Sequence, residues 1–187
     1  MKKVILFLVL LLTLCVVLGL AGCTPPLTLT YTVGDTGPAG GWIFYDKGIS
    51  SDGWRYLEAA PSDQSTGASW GCFGVSISGA DGTAMGTGEQ NTIDIEAGCT
   101  EPGTAADICA NLSLGGYDDW FFPSINELDL MYKNLYLQGV GGFTDRLYWS
   151  SSEYDADFAW FQDFYNGIQY SSLFKSGAYR VRAVRAF

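Results

Sequence analysis

The chain has 187 residues, enough for one domain with a sizeable core, and its formal net charge at pH 7 is −10. This acidity repels nucleic acid and anionic lipid head groups, so neither is expected as a general partner. The sequence contains no histidine, which excludes Ser-His-Asp and Cys-His catalysis and every histidine-containing metal site. Carboxylate chemistry and oxygen-ligated calcium remain open.

The N-terminus has the pattern of an export signal. Lys2 and Lys3 precede residues 4–18, which are almost wholly apolar. The run ends in Leu20-Ala21-Gly22-Cys23, which resembles the lipobox of bacterial lipoproteins, where small residues precede the modified cysteine. An uncleaved transmembrane anchor is the alternative, because the run is nearly long enough to span a bilayer. Either interpretation places the rest of the chain outside the cytoplasm.

The lipobox resemblance implies a diacylglycerol on the Cys23 sulfur and cleavage before that residue. It therefore predicts three segments: a signal peptide over residues 1–22, a lipidated tether over 23–30 and a folded domain over 31–187. The tether contains Pro25-Pro26 and is too short to carry the domain far from a membrane.

The remaining cysteines, Cys72, Cys99 and Cys109, allow one disulfide in an oxidising compartment. Cys72 and Cys99 lie in loop-like sequence, whereas Cys109 falls on the apolar side of a predicted helix. We therefore expect a Cys72–Cys99 bond, with Cys109 as a buried free thiol. A Cys99–Cys109 bond is the alternative.

The first half of the domain predicts a hairpin followed by a long loop. Residues 40–46 are apolar and aromatic between glycines, which indicates a strand. Residues 53–59 alternate and would pair with it. Residues 61–87 are rich in glycine and serine and are expected to form a loop.

Helix signals occupy the middle of the chain. Residues 91–97 are expected to form a short helix with Asn91 as its N-cap and Gly98 just after its end. Residues 104–114 form a second predicted helix, capped by Thr104. Its predicted buried residues are Ile108 and Leu112.

The third predicted helix begins at Ser124, which has capping-box spacing with Glu127. We interpret Glu127 as a structural cap. The buried face of this helix is expected to carry Leu128, Met131 and Leu135.

The C-terminal part predicts antiparallel strands. Residues 148–152 and 158–164 are strand-like, and Asn166-Gly167 marks a hairpin turn before residues 168–170. Residues 179–185 are expected to form one last strand. The whole pattern is α+β, a single domain of antiparallel sheets with two or three helices and long loops.

Several motifs in order resemble the Lcl C-terminal domain family, named for the Legionella collagen-like adhesin. These motifs are residues 34–41 (GDTGPAGG), 86–92 (GTGEQNT), 116–124 (GYDDWFFPS), 127–128 (EL), 148–153 (YWSSSE) and 180–185 (RVRAVR). The resemblance covers residues 31–187 and implies a C-type-lectin-like fold related to the formylglycine-generating fold. In the adhesin this domain binds sulfated glycosaminoglycans, but an acidic surface argues against carrying that ligand over.

Two groups of carboxylates are candidate calcium ligands: Asp118 with Asp119, and Glu153 with Asp163. For the first pair the alternative is a turn in which an aspartate accepts from backbone amides. For the second group it is a solvated acidic loop. No cofactor is otherwise indicated.

The segment from Glu153 to Phe174 combines aromatic rings with Asp, Asn and Gln, a mixture suited to recognising sugars or proteins. The expected ligand-binding residues are Tyr154, Asp155, Asp157, Tyr165, Asn166, Tyr170 and Phe174. Trp149 and Trp160 are expected to be buried. Arg180, Arg182 and Arg185 are interpreted as structural ion-pair partners, with anion binding as the alternative.

These observations predict a non-catalytic, adhesin-like lipoprotein that binds an extracellular glycan or protein and has no nucleic-acid partner. A membrane would hold it through the lipid, placing it in a bacterial cell envelope, at the outer membrane or cell surface. Two alternatives remain open: an enzyme related to formylglycine-generating proteins, and an envelope-structural lipoprotein.

Overall fold

The computed structural model describes residues 29–187, so the predicted signal peptide and Cys23 lie outside the described residues. Residues 31–187 form one unit. Within the described part, no helix is long and apolar enough to cross a membrane.

The unit contains helices packed on two sheets. The helices are α1 (Gly88–Gly98), α2 (Ala105–Ala110), α3 (Ile125–Asn134) and a 3₁₀ turn (Tyr136–Gln138). The strands are β1 (Trp42–Ser51), β2 (Trp54–Ala59), β3 (Ser65–Ala68), β4 (Leu147–Glu153), β5 (Phe158–Asp163), β6 (Ile168–Phe174), β7 (Tyr179–Val181) and β8 (Val184–Ala186). One sheet has the order β1-β2-β8 and the other β3-β7-β4-β5-β6. The α+β prediction is confirmed, although β4 and β7 pair in parallel.

The predicted N-terminal hairpin is present. β1 and β2 are antiparallel, and Ser51 pairs with Trp54 across a two-residue turn. Asp52 and Gly53 have φ values of 54° and 87°, as an Asp-Gly hairpin turn with two left-handed residues requires. The predicted loop over 61–87 is interrupted by β3, which pairs with β7. The Ser-Thr-Gly-Ala sequence of β3 has no alternation typical of a strand, so its extended conformation results from pairing with β7.

Two of the three predicted N-cap residues are confirmed and one prediction is wrong. Thr104 accepts from the Asp107 amide at the start of α2, and Ser124 forms the full capping box with Glu127. Asn91 is not an N-cap, because α1 begins at Gly88 and ends with Gly98 inside it. The Asn91 side chain turns inward instead and bonds both the amide and the carbonyl of Gly82.

Helix α2 is shorter than predicted and uses small residues for its buried face. Ala105, Ala106 and Cys109 are buried, whereas Ile108 and Leu112 are only partly covered. The face predicted for α3 is confirmed, since Leu128 and Met131 of the helix and Leu135 directly after it are fully buried.

The predicted strand over residues 179–185 is two strands in two different sheets. The chain leaves the larger sheet after Val181 and joins the smaller one at Val184. Arg182 lies at this break, fully buried, and its guanidinium donates to the Ala60 and Gly141 carbonyls at 2.8 Å each and pairs with Asp63. The strand break thus coincides with a buried cation whose charge and hydrogen bonds are met by these partners.

Two apolar cores result. One contains Trp70, Phe122, Trp149 and Phe161. The other packs α3 against both sheets and contains Phe44, Leu57, Leu128, Tyr148 and Phe164. Trp149 is buried as predicted, but Trp160 is only partly buried. The expected Cys72–Cys99 disulfide is present, and Cys109 is a buried free thiol.

Candidate functional site

One face of the β5–β6 hairpin is only half covered. Phe158, Trp160 and Gln162 alternate along β5 and therefore lie on the same face. Helix α3 covers the Gln162 end, where the Gln162 side chain donates to Asp129 at 3.0 Å and Gln169 donates to the Ile125 carbonyl at 3.0 Å. At the other end, Phe158 and Trp160 stay partly exposed.

Five rings gather at this less covered end and are termed the aromatic strip: Phe73, Tyr154, Phe158, Trp160 and Phe174. The Phe158 and Phe174 rings stack with centroids 4.7 Å apart, and Phe73 meets Phe174 edge-on at 5.5 Å. Tyr154 meets Trp160 edge-on at 5.9 Å. The exposed fractions of Phe73, Tyr154 and Phe174 are 49%, 57% and 53%, so the strip presents a large apolar area to solvent.

An irregularity in β6 separates two residues that the sequence placed together. Ala159 pairs with Leu173 and Phe161 pairs with Tyr170, so β6 holds one extra residue between these pairs. Tyr170 therefore shares a face with Phe161, on which it stacks at 5.4 Å. Phe174 shares the opposite face with Phe158. The bulge thus moves Tyr170 to the other side of the sheet from the aromatic strip.

The predicted polar residues shape turns. The Asp155 carboxylate accepts from the Asp157 and Phe158 amides at 2.9 and 2.8 Å, in the loop between β4 and β5. Asn166 accepts from the Ile168 amide at 2.8 Å in the β5–β6 turn, beside the exposed Tyr165. Of the predicted binding residues, the structure brings together Tyr154, Asp155, Asp157 and Phe174. Tyr165, Asn166 and Tyr170 lie elsewhere on the hairpin.

Buried charges hold the loop that carries Phe73. Lys175 is fully buried, donates to the Val75 carbonyl at 2.8 Å, and pairs with Glu153. The Glu153 carboxylate also accepts from the Ile77 amide at 2.8 Å and from the Ser76 hydroxyl at 3.1 Å. The loop is therefore fixed along residues 75–77.

Two further contacts fix the start of this loop. The Lys175 ammonium lies 4.6 Å from the centre of the Trp70 ring, and the Cys72–Cys99 disulfide ties the residue before Phe73 to the end of α1. A side chain at Gly71, whose φ is +110°, would come within 2.6 Å of Thr104. Glycine is thus required beside this disulfide.

The candidate calcium ligands are not brought together. Asp119 forms a bidentate pair with Arg185 at 2.7 Å for each bond, and this pairing holds the pKa of Asp119 below its usual value. Glu153 is occupied by Lys175, and Asp163 accepts from the Tyr165 amide at 2.9 Å. Among residues 29–187, the one grouping with metal-ligand spacing is Cys72, Cys99 and Glu101, and its two sulfurs are bonded to each other.

The three C-terminal arginines form ion pairs, which favours the structural interpretation over anion binding. Arg180 and Arg182 both pair with Asp63, at 2.6 Å each. Arg185 pairs with Asp119 at 2.7 Å and with the buried Glu58 at 3.3 Å. These contacts join the C-terminal segment to β2, which carries Glu58, and to the loops that carry Asp63 and Asp119.

The structure also contains an acidic groove that the sequence did not indicate. A cavity of about 340 Å³ is lined by α1 and by the segment before α3, with Glu89, Ile93, Glu96, Asp118 and Asp119 among its residues. Burial, with the nearby charge of Asp107, raises the pKa of Glu96. The two walls are far apart in sequence, so no local motif marks the groove.

A comparison with known protein families identifies the family to which this chain belongs. The model of the Lcl C-terminal domain matches residues 60–185. The chain belongs to the Lcl C-terminal domain family. No matching sequence was found among curated proteins.

The region matched by the family model contains the whole aromatic strip, the Cys72–Cys99 disulfide and the buried Lys175–Glu153 pair. The matched region begins at residue 60, just after β2, so the β1–β2 hairpin precedes it. Three rings of the strip were not among the predicted binding residues: Phe158, Trp160 and Phe73. The most distant of them is Phe73, which lies about a hundred residues before Phe174. The signal that could have found it is its position directly after Cys72, which places it on a tethered loop.

Proposed function

We propose that this protein is a membrane-anchored, non-catalytic surface lipoprotein whose Lcl C-terminal domain binds an extracellular glycan or protein. The aromatic strip is the binding surface in this proposal, and the exposure of Phe73, Tyr154 and Phe174 is the observation that carries it. Large exposed rings on one patch are unusual for a soluble surface and are typical of recognition sites.

The rigid backing of the strip supports the same proposal. Phe158 and Trp160 stand on a central strand, and Phe73 is held by a disulfide and a buried ion pair. Binding to such a preorganised surface loses little conformational entropy. The implied C-type-lectin-like fold and the adhesin-like role of the family agree with this arrangement.

The thiol chemistry supports a non-catalytic role. Within the described part of the chain, Cys72 and Cys99 are bonded to each other and Cys109 is buried. Burial raises the pKa of the Cys109 thiol, so this group is a weak nucleophile. The sequence has no histidine to activate it.

The proposed anchor is the diacylated Cys23, which would hold the protein at a bacterial outer membrane or cell surface. The tether over residues 23–30 would then keep the domain near the lipid. The −10 formal charge opposes adhesion of the domain itself to anionic lipid.

An array of glycans and extracellular-matrix proteins, probed with the full chain in detergent, tests the proposed function. We expect the wild type to retain specific ligands and Phe174→Leu to lose them. Tyr165→Leu is the matched control, because Tyr165 is 76% exposed but lies at the hairpin turn. Equal binding by all three proteins to every ligand would contradict the proposal.

A further inference from the structure

The charges around the aromatic strip are negative. Asp155 and Asp157 lie in the loop joining Tyr154 to Phe158, and Glu101 accepts from the Cys72 amide at 3.0 Å, directly before Phe73. The nearby cation Lys175 is fully buried and neutralised by Glu153. A ligand on the strip therefore meets rings and carboxylates.

The excess of negative over positive charge extends well beyond the aromatic strip. The sequence has no lysine or arginine between Arg55 and Lys133. This interval supplies the Phe73 loop, α1 and α2, and its exposed carboxylates include Asp81, Glu89 and Glu101. An acidic surface of this extent attracts a cationic partner and repels a polyanion.

The protein's own cations already use aromatic faces. Lys47 lies 3.7 Å from the centre of the Trp54 ring, Arg182 3.9 Å from Phe143, and Arg185 3.8 Å from Tyr117. Within residues 29–187, no lysine or arginine lies over a ring of the aromatic strip. In this described part of the chain, the exposed rings of the strip thus lie beside Asp155 and Asp157, which form no ion pair.

We infer that the aromatic strip binds a segment of a partner protein rich in lysine or arginine. The cationic groups lie over the ring faces, and Asp155 and Asp157 neutralise them from the edge of the strip. This inference rests on the proposed function and narrows its ligand from glycan or protein to a basic polypeptide.

Titration of the full chain in detergent with an octa-arginine peptide tests the inference. Octa-glutamate is the charge-reversed control, and a neutral oligosaccharide, cellohexaose, is the uncharged one. We expect binding of octa-arginine alone, weakening about 5-fold or more in Phe174→Leu, because that variant removes a ring without changing charge. Tyr165→Leu should bind as the wild type does.

A pair of charge variants separates a specific site from general attraction. Asp155→Asn removes a charge beside the strip but keeps the side-chain oxygen that accepts from the turn amides. Asp118→Asn removes the same charge from an exposed position in the acidic groove. We expect Asp155→Asn to weaken octa-arginine binding at least about 3-fold more than Asp118→Asn.

Three outcomes of these experiments would contradict the inference, and one of them would also contradict the proposed function. Equal effects of the two charge variants, with no effect of Phe174→Leu, would overturn the inference in favour of unspecific attraction. Cellohexaose binding that Phe174→Leu abolishes, without octa-arginine binding, would overturn the basic partner and leave the proposed function standing. Array ligands that Phe174→Leu retains fully would overturn both.

Discussion

Replacing Lys175 with methionine removes the buried cation that holds the Phe73 loop. Its partner Glu153 is 5% exposed and would remain in the interior without a counter-charge. Breaking a buried pair in this way costs about 3–5 kcal/mol. This loss is a large part of the roughly 5–15 kcal/mol by which a folded domain is stable. In a domain of this size each kcal/mol lost lowers the melting temperature by about 2–4 °C, so Lys175→Met should lower it by roughly 6–20 °C.

Urea unfolding at pH 7 without reductant, followed by tryptophan fluorescence, measures this loss. In the double variant Lys175→Met/Glu153→Gln neither charge remains, and the introduced amide oxygen replaces the carboxylate oxygen that accepts from the Ile77 amide. We expect the double variant to be more stable than Lys175→Met, because it leaves no unpaired charge in the interior.

Lys133→Met is the matched control for an exposed pair. Lys133 contacts Asp129 one helical turn away at 2.5 Å, but its side chain is 58% exposed, so its loss should cost about 0.5 kcal/mol or less. The reasoning is refuted if Lys175→Met costs no more than Lys133→Met, or if the double variant is as unstable as the single one.

Three further predictions concern pH, packing and anchoring. Burial raises the pKa of Glu127 to about 7 from 4.5, so the folded state binds this proton more tightly. The contribution of Glu127 to the unfolding free energy should therefore fall by about 3 kcal/mol as pH rises from 4.5 through 7. Urea unfolding across this range should show a smaller fall in the unfolding free energy for Glu127→Gln than for the wild type. Trp149→Ala should cost about 3–5 kcal/mol and Trp160→Ala clearly less, because Trp160 is partly exposed; similar unfolding midpoints for the two would contradict this. Cys23→Ser should abolish lipid attachment and leave the precursor unprocessed, and radiolabelled palmitate incorporated at wild-type levels would exclude the lipoprotein proposal.

Features set by a few neighbouring residues were predictable from the sequence. The capping box of Ser124 and Glu127 is complete within four residues, and Asn166-Gly167 correctly located the β5–β6 hairpin. The tight two-residue turn that this dipeptide favours is not formed, because Asp163 pairs with Ile168 across a four-residue loop in which Gly167 has a positive φ and Asn166 does not. The Cys72–Cys99 bond could be predicted because Cys109 lies on the buried side of a helix. Each of these inferences needed only local spacing.

Features set by distant partners were not predictable. Strand β3 exists because β7 offers it a pairing edge, and the break at Arg182 depends on Asp63 and on two distant carbonyls. The bulge in β6 places Tyr170 and Phe174 on opposite faces of the sheet, although the even spacing in the sequence predicts that they share one face. For this reason the sequence located part of the aromatic strip but joined it to Tyr170, which lies on the opposite face of the sheet.

Oxidative footprinting of the full chain, with and without the ligand identified on the array, tests the central claim most directly. The account predicts that ligand protects Phe73, Tyr154 and Phe174 from hydroxyl radicals while Tyr165 reacts as before. Protection of Tyr165 with unchanged reactivity of Phe73, Tyr154 and Phe174 would place the binding surface at the hairpin turn and contradict the account.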